Sequence, residues 1–292
     1  HWESGDVEAN GIRLHYTRTR GKGPALVLAH GVTDDGLCWT PVAQALEGEY
    51  DVLMVDARGH GGSDAPATGY DAATQAADLA GVIAGLELHK PVILGHSMGA
   101  GTALALAGLY PAVPRAILLE DPPPWWVAAP APAEEEGRAE TRTTAAIYGR
   151  SAEEQERAQG MQAWFAGLKR KTREELLAEQ RAAAPGWSEA ELEPWADSKI
   201  RVSPQALNVF NPDAPRAVDW RAILSQITCP ALVITADPAR GAILNDDGVA
   251  ALRALVPQLQ VVHIPGAGHN IRREQFDRFM KVVRDSLAAQ AT

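Results

Sequence analysis

The sequence predicts an α/β fold in which a mostly parallel central sheet is flanked by helices and interrupted by a long helical insertion. Three observations support this prediction. Short apolar runs alternate with helical segments through the first 121 residues, the alternation stops at three consecutive prolines, and it returns at about residue 226. A length of 292 residues suits one such domain that carries an insertion.

The predicted strands are short apolar runs bounded by turn residues. The first two flank Asn10-Gly11, a pair that favours the type I′ turn of a β-hairpin. The later runs are continuously apolar, which is typical of strands buried on both faces of a parallel sheet. In chain order, the predicted strands are residues 7–9, 12–17, 25–29, 52–55, 91–94, 116–119, 231–235 and 260–264. The predicted core helices are residues 39–46, 74–86, 98–110, 247–255 and 271–287.

The insertion begins at the prolines of residues 122–124, because consecutive prolines can continue neither a helix nor a central strand. From there to about Ser225 the composition shifts to Ala, Glu, Arg and Trp. Helix starts are marked by three capping boxes and one serine before a proline, at Ser151-x-x-Glu154, Thr172-x-x-Glu175, Ser188-x-x-Glu191 and Ser203-Pro204. We therefore predict a core formed by residues 1–121 and 226–292 and a helical cap, or lid, formed by residues 122–225.

The composition excludes several classes of protein and partner. A formal net charge of -10 gives no net attraction to phosphate backbones or anionic lipids, so we expect neither a nucleic-acid nor a membrane partner. The apolar runs are far shorter than the roughly 20 residues that span a bilayer. The two cysteines, Cys38 and Cys229, form neither a disulfide framework nor a zinc motif, which favours a reducing, cytoplasmic location. The first residues lack the features of a signal peptide, and since no methionine precedes them we expect a trimmed start.

The strongest motif is Gly95-His96-Ser97-Met98-Gly99, which has the form G-x-S-x-G between a predicted strand and a predicted helix. A serine at such a turn is held in a strained conformation that exposes its hydroxyl oxygen above the sheet. The helix that follows directs its N-terminal N–H groups at developing negative charge. These features predict Ser97 as a nucleophile and the Met98 N–H as an oxyanion donor. A glycine-rich turn that happens to contain serine is the alternative, which the flanking strand and helix disfavour.

Two further segments predict partners for this serine. His30-Gly31-Val32 follows a predicted strand, and a loop in that place supplies the second oxyanion donor, the Val32 N–H. His269 lies on a glycine-rich loop between the last predicted strand and the last helix. A histidine there can reach over the sheet edge and act as the general base for Ser97.

Together these motifs resemble the α/β-hydrolase superfamily, and in particular its cap-bearing branch of serine esterases, lactonases and C–C bond hydrolases. The matching segments cover the predicted core, roughly residues 7–121 and 226–288, and comprise His30-Gly31, residues 55–63, Gly95 to Gly99, and Gly266-x-Gly268-His269. The resemblance implies the α/β-hydrolase fold and a triad of serine, histidine and an acid. Loop 55–63 resembles a family loop that stabilises the fold, so we expect a structural role for it.

The acid of the triad is where the sequence departs from the family pattern. Most members place it about four residues past the penultimate strand, which here falls near Ala239, whereas Asp237 comes about two residues earlier. Asp121 instead ends the strand before the prolines, and some branches of the family use that position. We predict Asp121 as the acid and keep Asp237 as the alternative. Three other carboxylates are weaker candidates, namely Glu120, Asp246 and Asp247.

Six of the eight tryptophans fall within the predicted cap, which suggests a ligand cavity with aromatic walls. About half of these rings are expected to pack the cap helices together instead. The residues predicted to line the substrate pocket are His30, Trp39, Trp125, Trp126 and Trp164.

The predicted function is that of a serine hydrolase that cleaves a carboxylic ester or lactone with an apolar moiety through an acyl-enzyme. Its expected partner is a small-molecule substrate, and no metal or organic cofactor is expected. Three alternatives stay open with the same residues: a C–C bond hydrolase, an amide or carbamate hydrolase, and a non-catalytic receptor for a small ligand. The sequence does not predict the oligomeric state.

Overall fold

The computed structural model describes residues 2–127, 152–210 and 218–290. Eight strands form one sheet in the order β1-β2-β4-β3-β5-β6-β7-β8, in which β1 and β2 are antiparallel to their neighbours and the remaining pairs are parallel. The α/β class and the mostly parallel sheet are thereby confirmed. The strands are β1 Glu3–Ala9, β2 Ile12–Arg18, β3 Ala25–Ala29, β4 Asp51–Val55, β5 Val92–His96, β6 Ala116–Glu120, β7 Ala231–Thr235 and β8 Leu259–His263.

Helices flank this sheet and fill the segment between β6 and β7. The helices of the described core are α1 Thr40–Leu46, α2 Ala72–Gly85, α3 Met98–Leu109, α8 Asp246–Leu255, α9 Ile271–Glu274 and α10 Phe276–Ala289. Those between β6 and β7 are α4 Ala152–Leu168, α5 Arg173–Ala183, α6 Glu189–Arg201 and α7 Trp220–Leu224. Short 3₁₀ helices lie at Gly36–Trp39, Pro204–Phe210 and Pro238–Arg240. The single helix predicted at residues 271–287 is wrong in one respect, because Gln275 leaves the helical conformation between α9 and α10.

The central strands are buried on both faces, which explains why their sequences are continuously apolar. In β5, Ile93 packs into the apolar cluster that includes α2 and α3, whereas Val92 and Leu94 pack into the cluster that includes α1 and α10. Successive side chains of a strand point to opposite faces, so each of these strands supplies both halves of the core. None of the helices in the described ranges is long and apolar enough to cross a membrane.

The helices between β6 and β7 have an apolar cluster of their own, formed by Leu168, Leu176, Leu177, Leu192, Trp195 and Ala196. The capping box predicted at Thr172 is confirmed, since its hydroxyl accepts from the Glu175 N–H and the Glu175 carboxylate accepts from the Thr172 N–H. The capping box predicted at Ser188 is wrong, because Ser188 precedes α6 as its N-cap residue without a side-chain capping hydrogen bond. The box predicted at Ser151 lies outside the described residues. The division of the chain into core and cap at residues 121 and 226 stays a prediction.

A buried ion cluster joins α6 to α9 and to the loop that follows β3. Asp34 lies at its centre, with oxygen atoms 2.8 Å from Lys199 Nζ, 3.0 Å from Arg273 Nη2 and 3.3 Å from Arg272 Nη2. Glu191 pairs with Arg273 and Glu120 with Arg272. The cluster therefore contains three cations and three anions, namely Lys199, Arg272, Arg273, Asp34, Glu120 and Glu191. Burial alone would raise the pKa of Asp34, but Arg273, Lys199 and Arg272 hold it well below its ordinary value.

Replacing Asp34 by asparagine is expected to lower the free energy of unfolding by about 3–5 kcal/mol, because it leaves three buried cations facing two carboxylates. Urea unfolding of the purified variant measures this difference. The matched control is Asp285→Asn, which removes an exposed pair with Lys281 on α10 and should cost under about 1 kcal/mol. If the two variants lose the same stability, the ion cluster does not anchor α6.

Candidate active site

Ser97 occupies the sharp turn between β5 and α3. Its backbone angles are φ 53° and ψ −116°, a region that L-residues rarely adopt and that stores strain at functional sites. The crossing is tight, because a Cβ at Gly95 would lie 2.4 Å from the Gly99 oxygen and one at Gly99 would lie 2.2 Å from the Ala29 oxygen. The glycines of the motif are therefore required by the close approach of strand, turn and helix.

His269 bridges Ser97 and Asp121. Its Nε2 lies 3.0 Å from Ser97 Oγ, and its Nδ1 lies 2.6 Å from Asp121 Oδ2. An ionised carboxylate only accepts hydrogen bonds, so Nδ1 carries the hydrogen and Nε2 is free to accept from the serine hydroxyl. This is the arrangement that lets an imidazole take a proton from a nucleophile.

Asp121 is held as an acceptor by the protein backbone. The residue is fully buried just after β6 and has a positive φ of 43°. Its Oδ1 accepts from the Leu244 N–H and its Oδ2 from the Ile243 N–H, each at 2.9 Å. Two backbone donors therefore orient the carboxylate while one of its oxygens also faces His269.

Asp237, the alternative acid, has different partners. Its Oδ1 lies 3.0 Å from His263 Nε2, and its Oδ2 accepts from the Gly266 N–H at 2.8 Å. The hydrogen bond from the Gly266 N–H contributes most to lowering the pKa of Asp237, and the contact with His263 lowers it further. Asp121 therefore lies in hydrogen-bond contact with His269. Asp237 is instead bonded to Gly266, in the turn that precedes His269. Of the weaker candidates, Glu120 pairs with Arg272, and Asp246 and Asp247 lie in the first turn of α8.

The loop of residues 30–32, called the oxyanion loop for its predicted role, follows β3 beside Ser97. Val32 and Met98 line the same cavity as Ser97, and Met98 begins α3, so its N–H has no acceptor within the helix. His30 does not line this cavity; the pocket prediction for it is wrong because the ring is buried beneath the loop. Its Nε2 accepts from the Ala57 N–H at 3.0 Å, so Nδ1 carries the hydrogen and donates to the Gly31 oxygen at 2.8 Å.

This His30 contact orients the Val32 N–H, the predicted second oxyanion donor. The Gly31 carbonyl and the Val32 N–H belong to one planar trans peptide, in which the two groups point in opposite directions. A histidine bonded to the carbonyl on one side therefore holds the N–H on the other. The dipeptide His30-Gly31 marks this loop in the sequence, but nothing in the local sequence predicts the contact of the His30 ring with the Gly31 carbonyl.

A cavity of about 680 Å³ opens over Ser97, His269 and the oxyanion loop. Five tryptophans line it: Trp125, Trp164, Trp187, Trp195 and Trp220. The rings of Trp125 and Trp220 lie 5.7 Å apart and those of Trp187 and Trp195 lie 6.3 Å apart, measured between centroids. Asp34, Tyr70 and Arg273 add polar groups to the wall. A cavity of this size is typical of a binding site for a small molecule.

Two tryptophans predicted for the pocket lie elsewhere. Trp39 is fully buried, and its ring packs against the Arg272 guanidinium at 4.1 Å from the ring centroid. Trp126 is also buried, and its Nε1 donates to the Gly248 oxygen at 2.9 Å. Both pocket predictions are wrong because these rings pack against Arg272 and Gly248 in the interior of the protein. Trp187, Trp195 and Trp220, which the sequence does not predict to line the pocket, lie between β6 and β7 and line the cavity.

The burial of His30 has a consequence for stability. Burial, with a smaller contribution from His60, lowers the pKa of His30 to about 3, whereas the unfolded chain takes up this proton near 6.5. The stability contributed by neutral His30 is therefore complete above pH 6.5 and is lost as the pH falls toward 3. Between pH 7 and pH 5 the expected loss from this one group is about 2 kcal/mol.

Urea unfolding of His30→Gln at pH 7, 6 and 5 checks this expectation. The variant should lose about 2 kcal/mol less than the wild type over this range, whatever its stability at pH 7. His89→Gln is the control, since it makes the same chemical change at an exposed position. Parallel pH curves for His30→Gln and the wild type would contradict the assignment.

No group of three or more His, Cys, Asp or Glu side chains in the described ranges is placed to hold a metal ion. The absence of a cofactor requirement stays a prediction.

Comparison with known proteins places the chain among hydrolases. The family model of the alpha/beta hydrolase family matches residues 26–282. The N-formylmaleamate deformylase of Pseudomonas putida is 32% identical over 287 residues, which cover 97% of this chain and 96% of that protein. The crystal structure of E-2-(acetamidomethylene)succinate hydrolase has a TM-score of 0.76 at 22% identity and covers 98% of both chains. That of the N-formylmaleamic acid deformylase of Pseudomonas putida S16 has a TM-score of 0.73 at 27% identity and covers 96% of this chain and 100% of that one. Because the family model spans most of the sequence and the deformylase relative nearly all of it, the chain belongs to the alpha/beta hydrolase family.

Proposed function

We propose that this protein is a serine hydrolase that cleaves a carboxylic ester or lactone with an apolar moiety through an acyl-enzyme. The observation that carries the proposal is the chain of hydrogen bonds from Ser97 through His269 to Asp121, which ends in an aromatic cavity. A hydroxyl activated in this way needs only a bound carbonyl carbon to react with.

The reaction begins when Ser97 Oγ attacks the substrate carbonyl and its proton passes to His269 Nε2. The resulting oxyanion accepts hydrogen bonds from the Val32 and Met98 N–H groups. Asp121 holds the His269 tautomer and stabilises the imidazolium. The tetrahedral intermediate collapses when His269 protonates the leaving oxygen, and an ester bond to Ser97 remains. Water then attacks that ester by the same steps, with His269 as the base, and the acid product and free Ser97 are released.

The walls of the cavity support an apolar substrate moiety. The two tryptophan pairs, Trp125 with Trp220 and Trp187 with Trp195, offer flat apolar surfaces. Arg273 also lines the cavity, but Asp34 and Glu191 pair with it, so its charge is already compensated. The described walls therefore favour contacts with a neutral ring or alkyl chain.

Amide hydrolysis is a second candidate, favoured by the full-length similarity to a deformylase. The steps would be the same except that His269 protonates a leaving nitrogen. Both reactions pass through an acyl-enzyme on Ser97, so the same residues would serve either of them.

A fluorophosphonate probe tests whether the serine is activated. The folded protein is expected to be labelled once, at Ser97, as identified by mass spectrometry of the modified peptide, and heat-denatured protein serves as the control. If the folded protein is not labelled, the enzyme proposal fails and a small-ligand receptor is favoured.

A substrate panel then tests the bond that is cleaved. It would contain p-nitrophenyl esters graded by acyl size, lactones, and N-formyl and N-acetyl amides. We expect the highest kcat/KM among esters or lactones with a ring or a medium alkyl chain. A higher kcat/KM for an N-formyl amide than for every ester would support the second candidate instead.

A further inference from the structure

His96 lies where the nucleophile, the oxyanion loop and His269 meet. It is the last residue of β5, directly before Ser97, and only 3% of it is exposed. Its ring centroid lies 4.7 Å from that of His269, with an angle of 41° between the ring planes. The side chain therefore packs against the very group that would move the proton.

A hydrogen bond to the backbone of His269 defines the state of the His96 ring. His96 Nε2 lies 2.9 Å from the His269 carbonyl oxygen, and since a carbonyl only accepts, Nε2 carries the hydrogen. Nδ1 is then a bare acceptor, and it has no hydrogen-bond partner among the described residues. Burial first, and Arg272 next, hold the pKa of His96 well below its ordinary value. The ring is accordingly a neutral donor with one fixed tautomer.

The opposite edge of the same ring contacts the oxyanion loop. A Cβ at Gly31 would lie 2.9 Å from His96 Nδ1 and 3.5 Å from Ser97 Cβ. Glycine at this position lets the loop close onto the ring. His96 is therefore held between the loop that carries the Val32 N–H and the loop that carries His269.

We propose that His96 is a positioning residue that sets the height of His269 above Ser97, an inference that rests on the proposed function. Asp121 fixes which way the imidazole of His269 faces, but the ring can still move with its backbone. The bond from His96 to the His269 carbonyl restrains that backbone. A displacement of about 1 Å of a reacting group can cost roughly a hundredfold in rate, so a single anchor of this kind has a measurable effect.

The test compares His96→Phe with His96→Gln. Phenylalanine keeps a flat ring but loses the donor, whereas glutamine can place an amide N–H near the position of Nε2. With p-nitrophenyl butyrate, we expect His96→Phe to lower kcat by at least about tenfold with KM changed less than about twofold, because only the transition state needs the aligned base. His96→Gln should recover kcat to within about threefold of the wild type. The rate of labelling by the fluorophosphonate probe should follow kcat in both variants.

Two outcomes would overturn the proposal. One is a kcat for His96→Phe within twofold of the wild type. The other is an equal loss of kcat in both variants together with an equal fall in Tm, which would indicate a packing role.

A measurement on the wild type keeps the proposal testable if a variant does not fold. In ¹⁵N NMR of the histidine-labelled protein at pH 7, His96 is expected as the neutral Nε2–H tautomer with a slowly exchanging proton. An imidazolium or an Nδ1–H tautomer would overturn the proposed contact. Wild-type turnover and Ser97 labelling are measured separately, so failure of the proposed function is distinguishable from failure of the role of His96.

Discussion

Replacement of Ser97 by alanine is expected to lower kcat by roughly 10⁴–10⁶-fold, by analogy with the losses found when members of a serine-protease triad are removed. The variant loses the oxygen atom proposed to bond to the substrate carbon, while the proposed oxyanion donors, Val32 and Met98, remain. KM should change little, because the tryptophan walls of the cavity are unaltered. Steady-state kinetics with the best ester of the panel measures both constants.

Ser225→Ala is the matched control, since Ser225 is exposed just after α7 and bonds only to neighbouring residues. It should keep the wild-type kcat. A loss of less than about tenfold in Ser97→Ala would mean that the observed activity belongs to another group. Complete loss of labelling by the fluorophosphonate probe in Ser97→Ala is the independent expectation.

The strand-to-helix turn at Ser97 could be predicted because its geometry is encoded within five residues. Gly95 and Gly99 are needed for the close crossing, and the apolar strand before the motif and the helix after it are both visible in the sequence. The loop position of His269 could be predicted for a similar reason, since glycines and a strand end mark it. Local signals of this kind do not depend on how distant segments pack.

The choice between Asp121 and Asp237 depends on such packing, and spacing alone left it open. Both residues follow neighbouring strands, β6 and β7, at the same edge of the sheet. The difference lies in their partners. The backbone N–H groups of Ile243 and Leu244 donate to Asp121 and orient it toward His269. Asp237 instead contacts His263 on β8 and accepts from the Gly266 N–H.

The cavity walls and the ion cluster were the least predictable parts. Whether a tryptophan faces a cavity or a neighbouring helix depends on contacts between distant segments, so Trp39 and Trp187 could not be told apart by composition. The ion cluster joins residues that are far apart in the chain, with Asp34 separated from Lys199 by 165 positions and from Arg273 by 239. Nothing in the local sequence around Asp34 marks it as the centre of such a cluster.

Replacement of Asp121 by asparagine is expected to lower kcat by roughly 10⁴-fold, as the corresponding change does in serine proteases. Three N–H donors point at the Asp121 carboxylate, from Ile243, Leu244 and His269 Nδ1. An amide has a single acceptor oxygen, so in either orientation at least one of these donors faces an NH₂ group. The negative charge that stabilises the His269 imidazolium is lost in both. Steady-state kinetics with the same ester, at the pH that is optimal for the wild type, measures the effect.

Asp237→Asn is the matched comparison, because it makes the same chemical change on the neighbouring strand end. Asp237 contacts His263 and Gly266 and lies outside the hydrogen-bonded chain that ends at Ser97, so kcat should stay within about threefold of the wild type. The reverse pattern, with kcat collapsing in Asp237→Asn and preserved in Asp121→Asn, would show that Asp237 supports the base in the working enzyme. Equal and large losses would instead mean that the Gly266 turn held by Asp237 is as necessary for placing His269 as the carboxylate of Asp121. Labelling rates with the fluorophosphonate probe provide an independent measurement for both variants. They report activation of Ser97 without any dependence on the leaving group of a substrate.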